Sequence, residues 1–260
     1  MTAIVLVEAV GSSRILTINR PEARNALTRP LIDELVSALH AASTDATVRC
    51  VLLAGAGGHF CAGADLRALF VEDPYLADHL DEYLEAFQGL VKAIIRCDKP
   101  TIAMMDGAAV GFGADLAFSC DLRVASTRAY VQEKFVRIGL MPDGGGTFWL
   151  PRLVGTARAM QMILLAEKVD ARQLAELGVV VRVVTDDALR DAALALARNI
   201  ESGPPLAFAA IKRALYASWG DIDGALARER HEQVELLKSA DFREGVIAWM
   251  QKRDPRFEGR

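Results

Sequence analysis

The stretch from Asp106 to Asp121 combines three glycines with the start of an apolar helix, an arrangement that suits binding of a negatively charged oxygen. Gly107, Gly111 and Gly113 let the backbone come close to a ligand, because a residue without a Cβ leaves space and conformational freedom. The first helical turn also leaves N–H groups without partners, and the helix dipole favours negative charge there. The alternative is a tight strand-to-helix turn that binds nothing, and this stretch alone leaves both interpretations open.

Two further glycine-rich corners follow the same logic. Residues 138–147 lead into a second helix, and residues 55–66 follow a buried apolar run. Gly55-Ala-Gly-Gly58 superficially suggests a dinucleotide fingerprint, but it lacks the full spacing and does not run straight into a helix. The four cysteines have no metal-type spacing and the four histidines do not cluster, so we expect no metal site.

The composition indicates a globular protein with a sizeable core. Of the 260 residues, 52% are apolar, and the net charge of −4 includes no long block of like charge. This balance argues against nucleic-acid or membrane partners. No apolar run approaches the ~20 residues that span a bilayer, and the N-terminus lacks a signal pattern. With cysteines that suit reduced core thiols, these features predict a cytoplasmic protein.

Hydrophobic patterning predicts the elements that position these corners. Strands are expected at residues 4–10, 14–18, 48–54, 100–105, 122–125, 129–131 and 179–184. Helices are expected at residues 28–42, 84–95, 114–120, from the second corner to about 155, 170–177, 188–201, 206–218, 222–237 and 240–253. Residues 70–80 are predicted to form a loop over a cleft. The pattern therefore indicates an α/β core, residues 1–186, followed by a helical region, residues 187–260.

Five segments in one order carry a resemblance to a known family. They are Asn19-Arg-Pro-Glu-Ala-Arg-Asn-Ala-Leu27, Phe60-Cys-Ala-Gly-Ala-Asp-Leu66, the central glycine stretch, Gly144-Gly-Gly-Thr147, and Phe242-Arg-Glu-Gly-Val-Ile-Ala-Trp-Met-Gln-Lys-Arg253. Together they resemble the crotonase (enoyl-CoA hydratase/isomerase) superfamily over essentially the whole chain. The resemblance implies an α/β spiral of repeated strand-strand-helix units, followed by helices that form a homotrimer or a hexamer of two trimers. It also implies a coenzyme A thioester as substrate, without a separate cofactor.

The resemblance implies an oxyanion hole built from backbone N–H groups. A thioester that loses an α-proton becomes an enolate, and one fixed donor to its oxygen is worth about 2.7–4 kcal/mol. By resemblance the two donors are the amides of Ala64 and Phe112. Many relatives have glycine in place of Phe112. Because a backbone donor tolerates a side chain, we expect the hole to persist with the Phe112 side chain pointing away.

The resemblance also implies coenzyme A contacts. Arg24 resembles the residue that meets a phosphate of the adenosine part. Residues that resemble the cradle for adenine and pantetheine are Ala26, Ala62, Ala64, Asp65 and Leu66. Trp249 and Lys252 resemble an aromatic and a basic residue lent to the site by the C-terminal helix of a neighbouring subunit. A basic side chain pairs with phosphate through charge-assisted hydrogen bonds, and an aromatic face covers a base.

Two glutamates position and activate water in hydratases of this family, and neither is present here. The first falls at Asp115, which is one methylene shorter, and the second, counted without a gap, falls at Phe135. Phe135 cannot exchange a proton, so efficient hydration is not expected.

Isomerisation needs a single base, and Asp143 in Leu140-Met-Pro-Asp-Gly-Gly-Gly146 is our candidate. This corner, with Ser239-Ala-Asp-Phe-Arg-Glu-Gly245 and Arg253-Asp-Pro-Arg-Phe257, is especially similar to the phenylacetate-pathway branch, whose isomerases use an aspartate here. Apolar neighbours would disfavour its charged form, which suits a general base near neutral pH. One alternative is that Asp143 only caps the next helix. Asp115 is a second candidate, either as a helper of Asp143 or as an alternative base.

Three other functions are alternatives, and two of them stay open at this point. The chain could be a hydratase that uses Asp115 alone, or a protein that binds a thioester without turning it over. A Clp-type serine peptidase, whose fold is related, is the third. We discard it because the chain has no Gly-x-Ser-x-Gly elbow and Ser119 has no plausible histidine partner.

Overall fold

The computed structural model describes residues 3–72, 78–218 and 222–255, which contain nine strands and ten α-helices. The strands are β1 (Val5–Val10), β2 (Ser13–Ile18), β3 (Cys50–Gly55), β4 (Thr101–Met105), β5 (Ala108–Val110), β6 (Leu122–Ser126), β7 (Tyr130–Gln132), β8 (Val169–Asp170) and β9 (Arg182–Val184). They form a six-stranded sheet of order β1-β2-β3-β4-β6-β9 and a three-stranded sheet of order β5-β7-β8.

The helices surround these sheets and continue past the last strand. They are α1 (Arg29–Thr44), α2 (Leu80–Arg96), α3 (Phe112–Ser119), α4 (Gly146–Val154), α5 (Thr156–Leu164), α6 (Ala171–Glu176), α7 (Leu189–Glu201), α8 (Pro205–Ser218), α9 (Ile222–Lys238) and α10 (Ala240–Met250). No helix in the described ranges is both long and apolar enough to cross a bilayer.

Burial explains the order of the larger sheet. Every residue of β4 is buried, and in β3 only the last is not. Such continuous apolar runs suit central parallel strands that are covered on both faces, and β3 and β4 pair in parallel from Val51 opposite Thr101. β1 pairs antiparallel with β2 at the edge and exposes most of its residues, which a hairpin strand at an edge tolerates.

Strands β2, β3 and β4 of the large sheet are each followed by a short strand or an isolated β-bridge, and these pairings form a second backbone layer. After β4 the chain makes β5 and then α3, and after β3 the bridge between Cys61 and Ala109 extends the layer of β5. The bridge between Leu27 and Ala64 does the same after β2. The repeated unit is therefore strand, strand or bridge, and helix.

Most elements lie within a few residues of the prediction, and the differences have local causes. β5 and α5 were not expected, and residues Ala68–Glu72 form a π-helical segment where a loop was predicted. The other residues expected in that loop include 73–77, which lie outside the described residues. α10 ends at Met250 because Lys252 adopts a left-handed φ of 54°. There the Arg253 amide donates to Ala248 and the Lys252 amide to Trp249, as in a Schellman motif.

The N-termini of α6 and α1 differ in their side-chain capping. The Asp170 side chain accepts from the backbone N–H of Gln173, and the Gln173 side chain accepts from the backbone N–H of Asp170, so α6 begins with a capping box, as the spacing of these two residues indicates. Thr28 is the N-cap residue of α1 but makes no side-chain capping bond.

The helical region packs directly on the core. α7 covers the large sheet, where Leu189 and Ala193 join a buried cluster with Leu52 and Ile102. α8 is held by Lys212, which is 6% exposed and donates to the carbonyl oxygen of Ile94 at 3.0 Å. The same ammonium pairs with Asp121 at 2.8 Å, and Tyr216 donates to the other oxygen of Asp121 at 2.8 Å. The division at residue 186 stays a prediction.

Replacing Lys212 by Met should destabilise the protein by about 2–4 kcal/mol, because the change removes the cation that pairs with the partly buried Asp121 carboxylate and the donor to the carbonyl oxygens of Ile94 and Lys99. Denaturant unfolding followed by circular dichroism measures the effect. The matched control is Lys238→Met, which removes an exposed pair with Glu235 and should leave the free energy of unfolding essentially unchanged. Equal losses in both variants would show that the buried pair adds nothing.

Candidate active site

A cleft of about 1290 Å³ opens between the glycine-rich corners, α2, α9 and the end of α10. It gathers residues that are far apart in sequence. All but one of the site residues named from the sequence line it: Arg24, Ala26, Ala62, Ala64, Asp65, Leu66, Phe112, Asp143, Trp249 and Lys252. The exception is Asp115. The described residues contain no group of three or more His, Cys, Asp or Glu side chains placed to hold a metal ion.

Backbone hydrogen bonds join the first glycine-rich corner, residues 55–66, to the central glycine stretch, residues 106–121. The Cys61 amide donates to Ala108 O at 2.9 Å, and the Val110 amide donates to Cys61 O at 3.0 Å. Glycines allow this approach. A Cβ at Gly113 would overlap the Cys61 carbonyl, and one at Gly63, whose φ is 90°, would lie 2.7 Å from Val110 O.

Two amides at this junction are left for a ligand. Among the described residues, the N–H groups of Ala64 and Phe112 donate no hydrogen bond. The Phe112 amide lies in the first turn of α3, where no intrahelical acceptor exists. A Cβ at Gly63 would lie 3.4 Å from the Phe112 nitrogen, so the two segments are in contact. The Phe112 ring is buried edge-on against Phe87, with centroids 4.9 Å apart.

The part of the cleft around Arg24 is shaped by a short connector, residues 19–27. Arg24 has a φ of 51°, and its carbonyl accepts from the Ala62 amide at 3.0 Å, which ties the connector to the first corner. Asp65 pairs with Arg20 at 2.9 Å and accepts from the Ala68 amide at 3.1 Å. The carboxylate of Asp65 therefore stabilises the corner itself.

Asp143 lies on the cleft wall, and two buried glutamines hold it. Gln233 Nε2 of α9 donates to its Oδ2 at 2.7 Å. Gln88 Nε2 of α2 donates to its backbone oxygen at 3.2 Å and to Leu226 O at 2.8 Å. Oδ1 is buried and has no hydrogen-bond partner among the described residues. Burial raises the pKa of this carboxyl to about 7, and the bond from Gln233 opposes part of the rise.

The capping alternative for Asp143 is wrong. The N-cap residue of α4 is Gly145, with a φ of 97° and no side-chain capping bond. Because Asp143 bonds instead to α9, its carboxylate is available at the cleft rather than bound to the start of the helix.

Asp115 is not placed where the sequence analysis expected it. It is fully buried in α3, and its Oδ2 accepts from the Gly144 amide at 3.0 Å. A Cβ at Gly146 would lie 2.5 Å from its Oδ1, so the backbone of the second corner covers it. Asp115 thus lies behind the cleft wall and contacts the corner that carries Asp143.

The C-terminal residues Trp249 and Lys252 line the cleft of their own chain, and their contribution from a neighbouring subunit stays a prediction. Trp249 is 48% exposed at the end of α10. α10 packs on the turn Phe135–Ile138, because Gly245 allows contact with the backbone of Ile138. That packing brings Trp249 and Lys252 to the same cleft as Arg24.

Sequence reasoning missed Gln233. The residue is a single glutamine in the middle of a charged helix, α9, and no motif marks it. Only its 1% exposure and its bond to Asp143 distinguish it. Phe135, which the sequence analysis placed at the position of the second hydratase glutamate, lies on the inner wall: its ring would lie 3.8 Å from a Cβ at Gly111, beside the Phe112 amide.

Comparisons with known proteins agree with this arrangement. Residues 11–260 match the family described as enoyl-CoA hydratase/isomerase. The 1,2-epoxyphenylacetyl-CoA isomerase of Escherichia coli (strain K12) is 40% identical over 262 residues, covering 100% of both chains. A probable enoyl-CoA hydratase of Rhodobacter capsulatus is 43% identical over 247 residues, covering 95% of this chain and 94% of its own.

The fold has solved counterparts. The crystal structure of an enoyl-CoA hydratase from Mycobacterium avium subsp. paratuberculosis K-10 matches with a TM-score of 0.89 and 36% identity, covering 98% of this chain and 99% of that one. The fold and cleft thus define an acyl-CoA enzyme with a crotonase-like spiral, as predicted. The chain belongs to the enoyl-CoA hydratase/isomerase family.

The packing at Gly113 predicts a contrast between two helical glycines. Gly113→Ala should cost about 1–3 kcal/mol, because the new Cβ meets the backbone of Cys61, which cannot move without opening the paired corners. Gly89→Ala in α2 should instead add about 0.5–1 kcal/mol, since nothing lies within 4 Å of its Cβ. Denaturant unfolding of both variants checks this, and a stabilised Gly113→Ala protein would contradict it.

The pKa of Asp143 predicts how stability varies with pH. A carboxyl whose folded pKa is about 7, above its ordinary value of 3.8, favours the folded state at low pH and loses that contribution as pH rises to about 7. Between pH 4 and pH 8, wild type should therefore lose about 2–4 kcal/mol relative to Asp143→Asn. Unfolding of both proteins at the two pH values measures it. A pH-independent difference would mean that the pKa is not raised.

Proposed function

We propose that the protein is an enoyl-CoA isomerase in which Asp143 is the single base and the amides of Ala64 and Phe112 hold the enolate oxygen. The observation that carries the proposal is the supply of carboxylates in the cleft. Among the described residues that line it, only Asp65, Asp143 and Asp254 are acidic. Asp65 is paired with Arg20, and Asp254 is exposed on the C-terminal segment, so one carboxylate is left for proton transfer.

A single base suffices for moving a double bond. Asp143 takes a proton from the carbon next to the thioester carbonyl of a 3-enoyl-CoA. The electron pair moves onto the carbonyl oxygen, where two amide donors stabilise the charge. The protonated carboxyl then returns the proton two carbons further along, and a 2-enoyl-CoA results with no gain of water. A base with a pKa of about 7 is matched to both transfers near neutral pH.

The inner wall supports isomerisation over hydration. Adding water needs a base for the water and an acid for the carbon, and the place of the second hydratase glutamate is taken by Phe135, 9% exposed beside Gly111. The 40% identity to a protein named 1,2-epoxyphenylacetyl-CoA isomerase points the same way and suggests phenylacetate degradation as a pathway.

Hydration remains the second candidate, because a relative named probable enoyl-CoA hydratase is 43% identical. It would have to use Asp115, which is buried behind Gly144 and is not part of the cleft wall. A protein that only binds the thioester is the third candidate, and turnover separates it from the other two.

The coenzyme A part would lie along the outer cleft. We assign the phosphate contact to Arg24 and Lys252, the adenine and pantetheine contacts to Ala26, Ala62, Asp65 and Leu66, and the aromatic cover to Trp249. A homotrimer or a dimer of trimers is supported by the exposed apolar residues of α8, among which Leu206 is 85% exposed and Ile211 is 54% exposed.

Purified protein should convert a 3-enoyl-CoA to a 2-enoyl-CoA of unchanged mass, followed by ultraviolet absorbance and mass spectrometry. Asp143→Asn should lower kcat by about 100-fold or more, in the range expected for losing a general base. The matched control is Asp115→Asn, which keeps an oxygen for the Gly144 amide and should retain isomerisation. Rapid hydration of a 2-enoyl-CoA that depends on Asp115 would contradict the proposal, and binding without turnover would leave only a thioester-binding protein.

A further inference from the structure

The polar residue that faces the Asp143 carboxylate comes from a helix about 90 positions away in sequence. Gln233 lies on α9, is 1% exposed, and donates from Nε2 to Oδ2 of Asp143 at 2.7 Å. Burying an amide side chain is unfavourable unless its groups are hydrogen-bonded. Gln233 is therefore placed for this contact rather than exposed to solvent like Glu235 of the same helix.

The orientation of the Gln233 amide is fixed by a second bond. Its Oε1 accepts from the Met141 amide at 3.3 Å, and a backbone N–H can only donate. The carbonyl end of the side chain must therefore face Met141, and the NH₂ end must face Asp143. The direction of the bond to the carboxylate follows from this donor pattern.

We infer that Gln233 is a positioning residue that assigns the two oxygens of Asp143, so that Oδ1 is the one that accepts and returns the substrate proton; this rests on the proposed isomerase function. An amide nitrogen donates but cannot accept, and a hydroxyl oxygen is a poorer acceptor than a carboxylate oxygen, so a proton on Oδ2 would weaken the 2.7 Å bond. A proton on Oδ1 leaves that bond intact. Oδ1 is also the oxygen without a partner among the described residues.

The bond from Gln233 also sets how readily the carboxylate forms. The influences on the Asp143 pKa are burial, which raises it, and the bonds from Gln233 and from its own backbone, which lower it. No charged side chain of the described residues is among them. The side-chain amide of Gln233 is thus the group whose replacement should change the pKa of Asp143. Removing this donor should raise that pKa and make the carboxyl harder to ionise.

The test compares two buried glutamines that contact the same residue. Gln233→Met removes the donor to the carboxylate, whereas Gln88→Met removes a donor to the Asp143 backbone oxygen and does not touch the carboxylate. The readouts are kcat and KM for isomerisation of a 3-enoyl-CoA between pH 5 and 9. Direct titration of the Asp143 carboxyl by carbon-13 NMR, identified by its absence in Asp143→Asn, gives a readout that needs no turnover.

Gln233→Met should lower kcat about 10- to 100-fold, change KM by less than about threefold, and move the inflection of the pH profile and the Asp143 titration upward by about one unit. Gln233→Glu, which keeps the side-chain size, should move both further upward because two adjacent carboxyls share one proton. If Gln233→Met fails to fold, the pH profile and the Asp143 titration of Gln233→Glu test the inference in its place. Gln88→Met should lose thermal stability with the inflection and the titration unmoved.

Two results would overturn the inference. One is a Gln233→Met protein with the wild-type titration and a kcat within about threefold of wild type. The other is a Gln88→Met protein whose titration moves as far as that of Gln233→Met, which would reduce Gln233 to a packing role. If instead Asp143→Asn isomerises as fast as wild type, the proposed function fails, and that outcome is visible without any Gln233 variant.

Discussion

The pairing of two glycine-rich corners is the constraint on which the site depends. Cys61 bonds to both Ala108 and Val110, and this ladder brings the ends of β3 and β4 into one backbone layer. The pairing is tight enough to forbid a Cβ at Gly63 or Gly113. Because the layer is made of backbone, the direction of its free N–H groups is set by the fold and requires no side chain. Donors fixed in this way suit the proposed oxyanion hole, because they need no reorganisation when charge develops.

The proposed base, Asp143, is held by the opposite means, through side chains of distant helices. Asp143 lies on the second corner, residues 138–147, whose glycines let it pack against Phe112 and Asp115 of α3. α2 contributes Gln88 to its backbone and α9 contributes Gln233 to its carboxylate. Burial raises the pKa of the Asp143 carboxyl, and the hydrogen bond from the Gln233 amide lowers it again in part. The stability of the packing between α2 and α9 and the chemistry of the cleft are thus linked through the same two glutamines.

The C-terminal region closes the cleft as well as extending the core. α7 covers the large sheet, α8 is anchored by Lys212 on Asp121, and α10 rests on the turn Phe135–Ile138 through Gly245. The Schellman ending of α10 turns the chain at Lys252, which lines the cleft. The helical region is therefore part of the site rather than an appendage to it.

The sequence alone determined the features that depend on local backbone geometry. The glycine-rich corners, the buried strands β3 and β4, the capping box at Asp170 and the family motifs could all be predicted, because neighbouring residues specify them. The tertiary structure decided which carboxylate reaches the cleft. Asp115 and Asp143 were both candidates, and only packing put Gly144 over the first and left the second on the wall. The tertiary structure also decided that Gln233 contacts Asp143 and that Trp249 lines the cleft of its own chain. These contacts depend on packing between helices that are distant in sequence, and no short sequence motif specifies such packing.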